Sequence, residues 1–167
     1  MALLAYLRLV GSRQGEIKGS VTQKGREGRI AVIAANHELL VPIEPATGAA
    51  TGKRQHRPIR ITKELDRATV ALRTLLVTNE VIATWELQFW RAQAATAAGG
   101  PGGSEFQHFT IRLTNARVVG IHFHLPNVRD PEQMRYLEYE EVGFTYERIS
   151  WTWTDGNLTA EDIVGPR

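Results

Sequence analysis

The chain has 167 residues, a length typical of one domain with room for a hydrophobic core. Its 20 Lys and Arg residues against 18 Asp and Glu residues give a formal net charge of +2, which argues against a general polyanion-binding protein. The absence of cysteine excludes disulfides, thiolate metal sites and a cysteine nucleophile.

The first element is a short apolar run within residues 1–10. It has no leading basic region, contains Arg8 and is too short to span a membrane. We therefore predict a first strand at residues 6–10, in a soluble chain that lacks a standard export signal.

Alternation of apolar and polar side chains dominates the rest of the sequence. It predicts strands at residues 29–41, 80–91, 106–113 and 117–125, and a long last strand from 136 to about 154. One segment has a helical pattern, with Leu72, Leu75 and Leu76 at i, i+3 and i+4, and with Asp66 or Thr69 as N-cap. We expect a mainly β fold, either a β-barrel or two packed antiparallel sheets, with one flanking α-helix at about 66–78.

The last predicted strand changes face in its middle. Its large apolar side chains occupy even positions first and odd positions later: Val142, Phe144 and Tyr146, then Ile149, Trp151 and Trp153. One face of a strand cannot hold both sets, so we expect a β-bulge near Glu147 and Arg148 that bends the strand between two packing surfaces. These tryptophans, with Trp85 and Trp90, are expected to pack in the fold.

Two segments lack periodicity. Residues 44–58 are rich in Gly and Pro and are predicted to be a functional or mobile loop, and residues 95–105 are predicted to be a flexible, Gly-rich hairpin tip. No internal repeat is visible, so residues 1–167 are expected to form a single domain.

Polar residues on the predicted strands give little support for catalysis. His122 and His124 share a face, which suits a metal ion only if a third ligand comes from elsewhere; a solvated or subunit-facing surface beside a core Phe123 is the favoured interpretation. Glu138 and Glu140 also share a face, typical of a wet surface or of a salt bridge to a basic neighbour. No GxSxG elbow and no nucleophile beside a recognisable base is present, so we predict no enzyme activity, no cofactor and no metal site.

The stretch TGKRQHRPIRITKELD at residues 51–66 concentrates basic side chains. A phosphate loop is excluded by its spacing, because Gly48 and Gly52 are one residue too close and Arg54 replaces the Ser or Thr that holds magnesium. Binding of nucleic acid by a β-barrel through residues 53–60 is the alternative hypothesis, although the stretch lacks the aromatic residues on which single strands stack. Contact with another protein, or solvation, is favoured.

Several strings resemble the haemolysin-coregulated protein (Hcp) family, the tube-forming component of the bacterial type VI secretion system. They are GSVTQKGREG at 19–28, TGKRQHRPIRITKELD at 51–66, LTNA at 113–116, LPNVRDP at 125–131 and EEVGFTYERISWTWTDG at 140–156. They follow the family's order and cover nearly the full chain. The resemblance implies a single tube-subunit domain with a β-barrel and one flanking helix.

The resemblance also implies an assembly. Subunits form hexameric rings that stack head to tail into a tube inside a sheath, with a spike at the tip and a baseplate, and the ring lumen can hold and stabilise small effector proteins. Such a protein resides in the bacterial cytoplasm before firing and is then secreted without a signal peptide. Neither membrane insertion nor binding of nucleic acid is expected.

The basic loop receives a role from the same resemblance. In the family, the extended loop before the helix reaches toward the adjacent ring. The residues expected to meet acidic or carbonyl groups across the stacking interface are Lys53, Arg54, Gln55, His56 and Arg57.

Overall fold

The structure, a computed structural model, describes residues 5–92 and 105–164. The predicted tip at 95–105 lies outside these residues except for Glu105, which begins a strand. The strands are β1 Ala5–Gly11, β2 Gly15–Ile17, β3 Ile30–Val32, β4 Ala34–Asn36, β5 Leu39–Leu40, β6 Gln55–His56, β7 Ile59–Glu64, β8 Ile82–Ala92, β9 Glu105–Thr114, β10 Arg117–His124, β11 Tyr139–Thr145, β12 Arg148–Trp153 and β13 Leu158–Ile163. Helix α1 spans Ala68–Val77, and Asp155–Asn157 form a 3-10 turn.

The strands form two main antiparallel sheets. The larger has the order β13-β12-β9-β8-β1-β2, and β3 also pairs with β1; the smaller has the order β10-β11-β7-β4. Strands β5 and β6 pair only with each other among the described strands. The predicted mainly β fold with one flanking helix is confirmed as two packed sheets, which do not close into a barrel over the part of the chain that the structure describes.

One hydrophobic core lies between the sheets. Leu7, Leu9 and Trp85 of the larger sheet and Phe144 of the smaller sheet are at most 1% exposed, and the rings of Trp85 and Phe144 meet edge to face with centroids 5.5 Å apart. Burial of each such side chain stabilises the fold by roughly 1.5 to 3 kcal/mol. The two sheets and this shared core form the body of the molecule.

Helix α1 lies within the predicted interval and adds Leu72 and Leu75 to the core. Both predicted N-caps are wrong, since Arg67 occupies that position and makes no side-chain capping hydrogen bond. Asp66 Oδ1 nevertheless accepts a hydrogen bond from the backbone N–H of Ala68 at 2.9 Å, and Thr69 Oγ1 accepts one from the backbone N–H of Asp66 at 3.2 Å. Thr69 lies inside the first turn. Across the described residues, no helix has the length and apolar character needed to cross a membrane.

A buried ion cluster fastens the helix to the smaller sheet. The side chains of Lys63 on β7 and Glu140 on β11 are both 0% exposed, with Nζ and Oε1 3.0 Å apart. Asp66 lies 2.9 Å from the same Nζ, and Arg73 of α1 donates to Glu140 Oε2 at 2.8 Å. Glu140 is therefore a salt-bridge partner, as one of the two interpretations held; the wet-surface interpretation is wrong for it, because the side chain faces the helix.

The long last strand is interrupted at the position where the phase of its apolar residues changes. Strand β11 pairs with β7 and β10 in the smaller sheet, whereas β12 pairs with β9 and β13 in the larger one. The expected bulge near Glu147 and Arg148 is thus replaced by a break at Tyr146 and Glu147, where the chain passes between the sheets. The predicted strand at 29–41 is likewise divided, since β3 joins the larger sheet and β4 the smaller.

Candidate functional site

The hairpin at residues 38–57, here called the arm, contains most of the predicted loop and is closed at its base by a hydrogen bond from Arg57 N to Glu38 O at 3.0 Å. Leu39 pairs with His56 and Leu40 with Gln55, and a further backbone hydrogen bond runs from Thr51 N to Pro42 O at 2.8 Å. The predicted loop at 44–58 therefore contains ordered hydrogen-bonded pairs, and its mobility stays a prediction.

The arm has almost no core of its own. Within residues 38–57, His56 is the single buried side chain, and Val41 and Ile43 are 47% and 60% exposed. Such an element obtains little stabilisation from apolar burial. Its orientation must depend on polar contacts at its base.

One carboxylate makes the main contacts at that base. Asp162 of β13 accepts hydrogen bonds from Nε and Nη2 of Arg54 in a bidentate ion pair. His56 Nε2 lies 2.7 Å from Asp162 Oδ2. A bidentate pair between guanidinium and carboxylate favours one distance and angle, and Arg54 directly precedes β6, which carries His56.

Two further residues extend this contact into the body. The hydroxyl of Tyr146 lies 3.0 Å from His56 Nδ1 and 2.6 Å from His37 Nε2. These contacts form a continuous hydrogen-bonded chain from Asp162 through His56 and Tyr146 to His37. We call these five residues the Asp162 clamp: His37, Arg54, His56, Tyr146 and Asp162.

The protonation states of the clamp follow from its contacts. The hydrogen bonds from Arg54 hold the pKa of Asp162 well below its ordinary value, so the carboxylate is charged at neutral pH. Burial, followed by the nearby His56, lowers the pKa of His37. The clamp at neutral pH therefore combines an ion pair with a neutral His37.

The five predicted contact residues divide into two groups. Arg54 and His56 contact Asp162 of their own chain. Lys53, Gln55 and Arg57 are exposed, and Nε of Arg57 lies 3.8 Å from a Glu38 carboxylate at the base of the arm. The side chain of Arg54 is also 53% exposed, so His56 is the one buried member of the five. The role of these residues in contacts between rings stays a prediction.

The clamp partners were not found from the sequence. Asp162 is 108 residues from Arg54, and Tyr146 is 90 residues from His56, so no local spacing connects them. Strand β13, which carries Asp162, was not predicted either, because its residues are mostly exposed and lack a buried alternating set.

The two histidines on β10 lie on the smaller sheet. His122 pairs with Glu141 across the strands and is exposed, and the ring of His124 stacks on Tyr139 with centroids 4.7 Å apart. Phe123 was expected in the core; this is wrong, since it is 52% exposed on an edge strand. Within residues 5–92 and 105–164, no group of three or more His, Asp or Glu side chains is placed to hold a metal ion.

A polar groove lies beside the arm on the smaller sheet. Its volume is about 680 Å³, and its lining includes Asn36, Glu38, Arg57, Arg60 and Glu141. Charges of both signs line this groove, so it does not form a continuous cationic track of the kind that binds a phosphate backbone.

Comparison with known proteins gives a consistent result. The sequence profile described as "Type VI secretion system effector, Hcp" matches residues 6–153. The "Major exported protein" of Pseudomonas aeruginosa is 34% identical over 171 residues, covering 97% of this chain and 95% of that protein.

Solved structures agree with this result. Hcp1 from the E. coli EAEC 042 pathovar has 31% identity and a TM-score of 0.81, over 97% of this chain and 99% of that one. Secreted protein Hcp3 from Pseudomonas aeruginosa has 26% identity and a TM-score of 0.73, over 96% and 97% of the two chains. With a profile match over most of its length and a relative above 30% identity across nearly all of it, the chain belongs to the Hcp family of the type VI secretion system.

Proposed function

We propose that this chain is the structural, non-catalytic subunit of the inner tube of a bacterial type VI secretion system. Six copies form a ring, and rings stack head to tail into a tube that is exported. Membership of the Hcp family supports this role. The protein works from the cytoplasm, with sheath, spike and baseplate proteins as partners.

The arm is the observation that carries the stacking part of the proposal. It projects exposed basic and polar side chains, Lys53, Gln55 and Arg57, from a body to which it is fastened by the Asp162 clamp. A contact between two different surfaces of identical subunits repeats without closing along an axis, and that geometry generates filaments. The exposed arm residues meet acidic or carbonyl groups of the next ring.

Open sheet edges support the ring part of the proposal. In the smaller sheet, β10 and β4 each have a neighbour on one side only among the described strands, and β13 has the same position in the larger sheet. An unpaired strand edge offers backbone donors and acceptors to another chain. Ring formation satisfies such edges within the assembly.

Binding and stabilisation of small effector proteins in the ring lumen is the second part of the proposed function. The family's description as an effector and the name of the exported relative support transport out of the cell. Co-purification of a small protein whose half-life depends on the ring tests the chaperone role. A ring that assembles but protects no such protein is purely mechanical.

Negative-stain electron microscopy of the untagged protein at low and moderate salt tests the assembly. We expect uniform six-fold rings, some of them stacked, with shorter stacks as ionic strength rises because exposed ion pairs are screened. A protein that stays monomeric at all concentrations contradicts the proposed tube. Stack lengths that do not respond to salt contradict the electrostatic contact while leaving the rings in place.

A further inference from the structure

We propose that Asp162 is the positioning residue of the arm: its carboxylate, on the last described strand, holds the arm in the orientation in which its exposed residues contact the next ring. The effect of Asp162 on ring stacking rests on the proposed function. The positioning itself is a property of one subunit.

A single carboxylate of the body contacts two side chains at the returning end of the arm, Arg54 and His56. Arg54 binds both oxygens of Asp162, and His56 Nε2 contacts one of them at 2.7 Å. The side chain of Asp162 is 17% exposed and that of His56 is 2% exposed, whereas the rest of the arm is largely open to solvent. The clamp is thus the place where the arm contacts the larger sheet.

Another contact at the base of the arm joins Arg57 to Glu38. Arg57 donates its backbone N–H to Glu38 O at 3.0 Å, and the two side chains lie 3.8 Å apart. Both residues belong to the base of the hairpin, so this contact closes the hairpin without fixing its direction relative to the sheets. Tyr146 also links the arm to the body, through its contact with His56 at 3.0 Å. Asp162 of β13, at the edge of the larger sheet, binds both Arg54 and His56.

Asp162 also determines how much unbalanced positive charge the arm carries. Asp162 balances Arg54, so the side chains left to meet an acidic partner are Lys53 and Arg57. Removal of the Asp162 charge frees Arg54 and raises the exposed positive charge of the arm. If charge alone governed stacking, that change would strengthen contact with an acidic neighbour; if orientation governs it, stacking weakens.

Because charge and orientation predict opposite changes in stacking when Asp162 is neutralised, substitutions of Asp162 and its partner distinguish the two. Asp162→Asn removes the carboxylate with little change of shape, and Arg54→Gln removes the same ion pair from the arm. Glu161→Gln is the matched control, because it removes the same charge from the neighbouring residue of β13, whose side chain is 57% exposed and whose contact with Arg148 is 3.5 Å long. Asp162→Glu tests rescue by a carboxylate.

The orientation of the arm is measured by pulsed electron-spin distance measurements. The chain has no cysteine, so Ala46→Cys at the arm tip and Val77→Cys on α1 give a unique pair of labels, and dilution with unlabelled protein keeps the distances within one subunit. We expect one narrow distance peak in the parent protein and in Glu161→Gln. The peak broadens in Asp162→Asn and in Arg54→Gln, and narrows again in Asp162→Glu.

Stack length by electron microscopy is the second readout. We expect Asp162→Asn to keep intact rings and to shorten stacks several-fold, with Glu161→Gln unchanged. A narrow distance peak in Asp162→Asn, or longer stacks in that variant, overturns the proposal. If the parent protein forms no stacks, the tube assignment fails, while a broadened peak in Asp162→Asn still supports Asp162 as the residue that positions the arm.

Discussion

Two charged clusters of this molecule differ in what they stabilise. The cluster of Lys63 and Glu140 lies inside the body, with both side chains 0% exposed, and joins β7, β11 and α1. The Asp162 clamp lies at the base of the arm, with the side chain of Arg54 53% exposed. The first cluster holds elements that share a core, and the second holds an element that has almost none.

Because the two clusters differ in burial, substitutions in them should change the free energy of unfolding by different amounts. Removal of one partner from a fully desolvated pair leaves an uncompensated charge in the interior. Removal of one partner from a solvated pair costs little in folding free energy, because water and salt already screen the interaction. Stability of the body and orientation of the arm should therefore respond to different substitutions.

The largest expected effect is on the buried cluster. Glu140→Gln leaves Lys63 with Asp66 and deprives Arg73 of its carboxylate, so we expect the free energy of unfolding to fall by about 3 kcal/mol. Urea denaturation followed by tryptophan fluorescence measures it. Glu141→Gln is the control: this neighbour lines the polar groove on the opposite face, and we expect a change of at most about 0.5 kcal/mol. Equal losses in the two variants would contradict the difference in burial.

A double-mutant cycle between Arg54 and Asp162 gives the next effect in size. We expect Arg54→Gln and Asp162→Asn to show a measurable coupling in unfolding that is smaller than the loss in Glu140→Gln, since the pair is bidentate but the side chain of Arg54 is 53% exposed. The same cycle for Arg148 and Glu161, whose side chains are both about half exposed and 3.5 Å apart, should give a coupling close to zero. A coupling between Arg54 and Asp162 larger than the loss of stability in Glu140→Gln would contradict the proposed difference between the two clusters.

The smallest expected effect is a pH dependence of the clamp. Because the pKa of His37 is lowered in the folded state, the unfolded chain binds the proton more readily, and stability falls as pH drops below the usual histidine pKa of 6.5. The pKa of Asp162 is also lowered, so its contribution is present above the usual value of 3.8 and is lost as pH falls further.

This dependence is measured by urea denaturation at pH 7.5 and 5.5, with His37→Gln compared with the parent. We expect a smaller loss of stability in His37→Gln over this interval. His108 contributes to the dependence that remains in His37→Gln, since burial lowers its pKa as well. An identical loss in both proteins would show that His37 does not contribute.

The sequence predicted features that depend on local periodicity. The helix was found because Leu72 and Leu75 repeat at its period, and the change of face after Tyr146 was visible because side chains of a strand alternate. The passage of the chain from one sheet to the other at this point could not be predicted, because it depends on which strands pair. Phe123 was misplaced for the same reason, since its apolar character does not reveal that β10 is an edge strand.

The site was predicted in part. The basic stretch was recognised from composition, but the clamp joins Arg54 to Asp162 across 108 residues, and neither residue has a distinctive neighbour in sequence. Composition favours contact with another protein or solvation for such a stretch, and the resemblance to the Hcp family implies a contact of Arg54 with the next ring. The fold shows that its partner is the last described strand.

A cryo-electron microscopy structure of the assembled tube tests the central claim most directly. We expect Lys53, Gln55 and Arg57 to contact acidic or carbonyl groups of the adjacent ring, while Arg54 and His56 remain on Asp162 of their own subunit. An arm that contacts no neighbouring ring, or an Arg54 that leaves Asp162 for an acidic group of the next ring, would contradict the account.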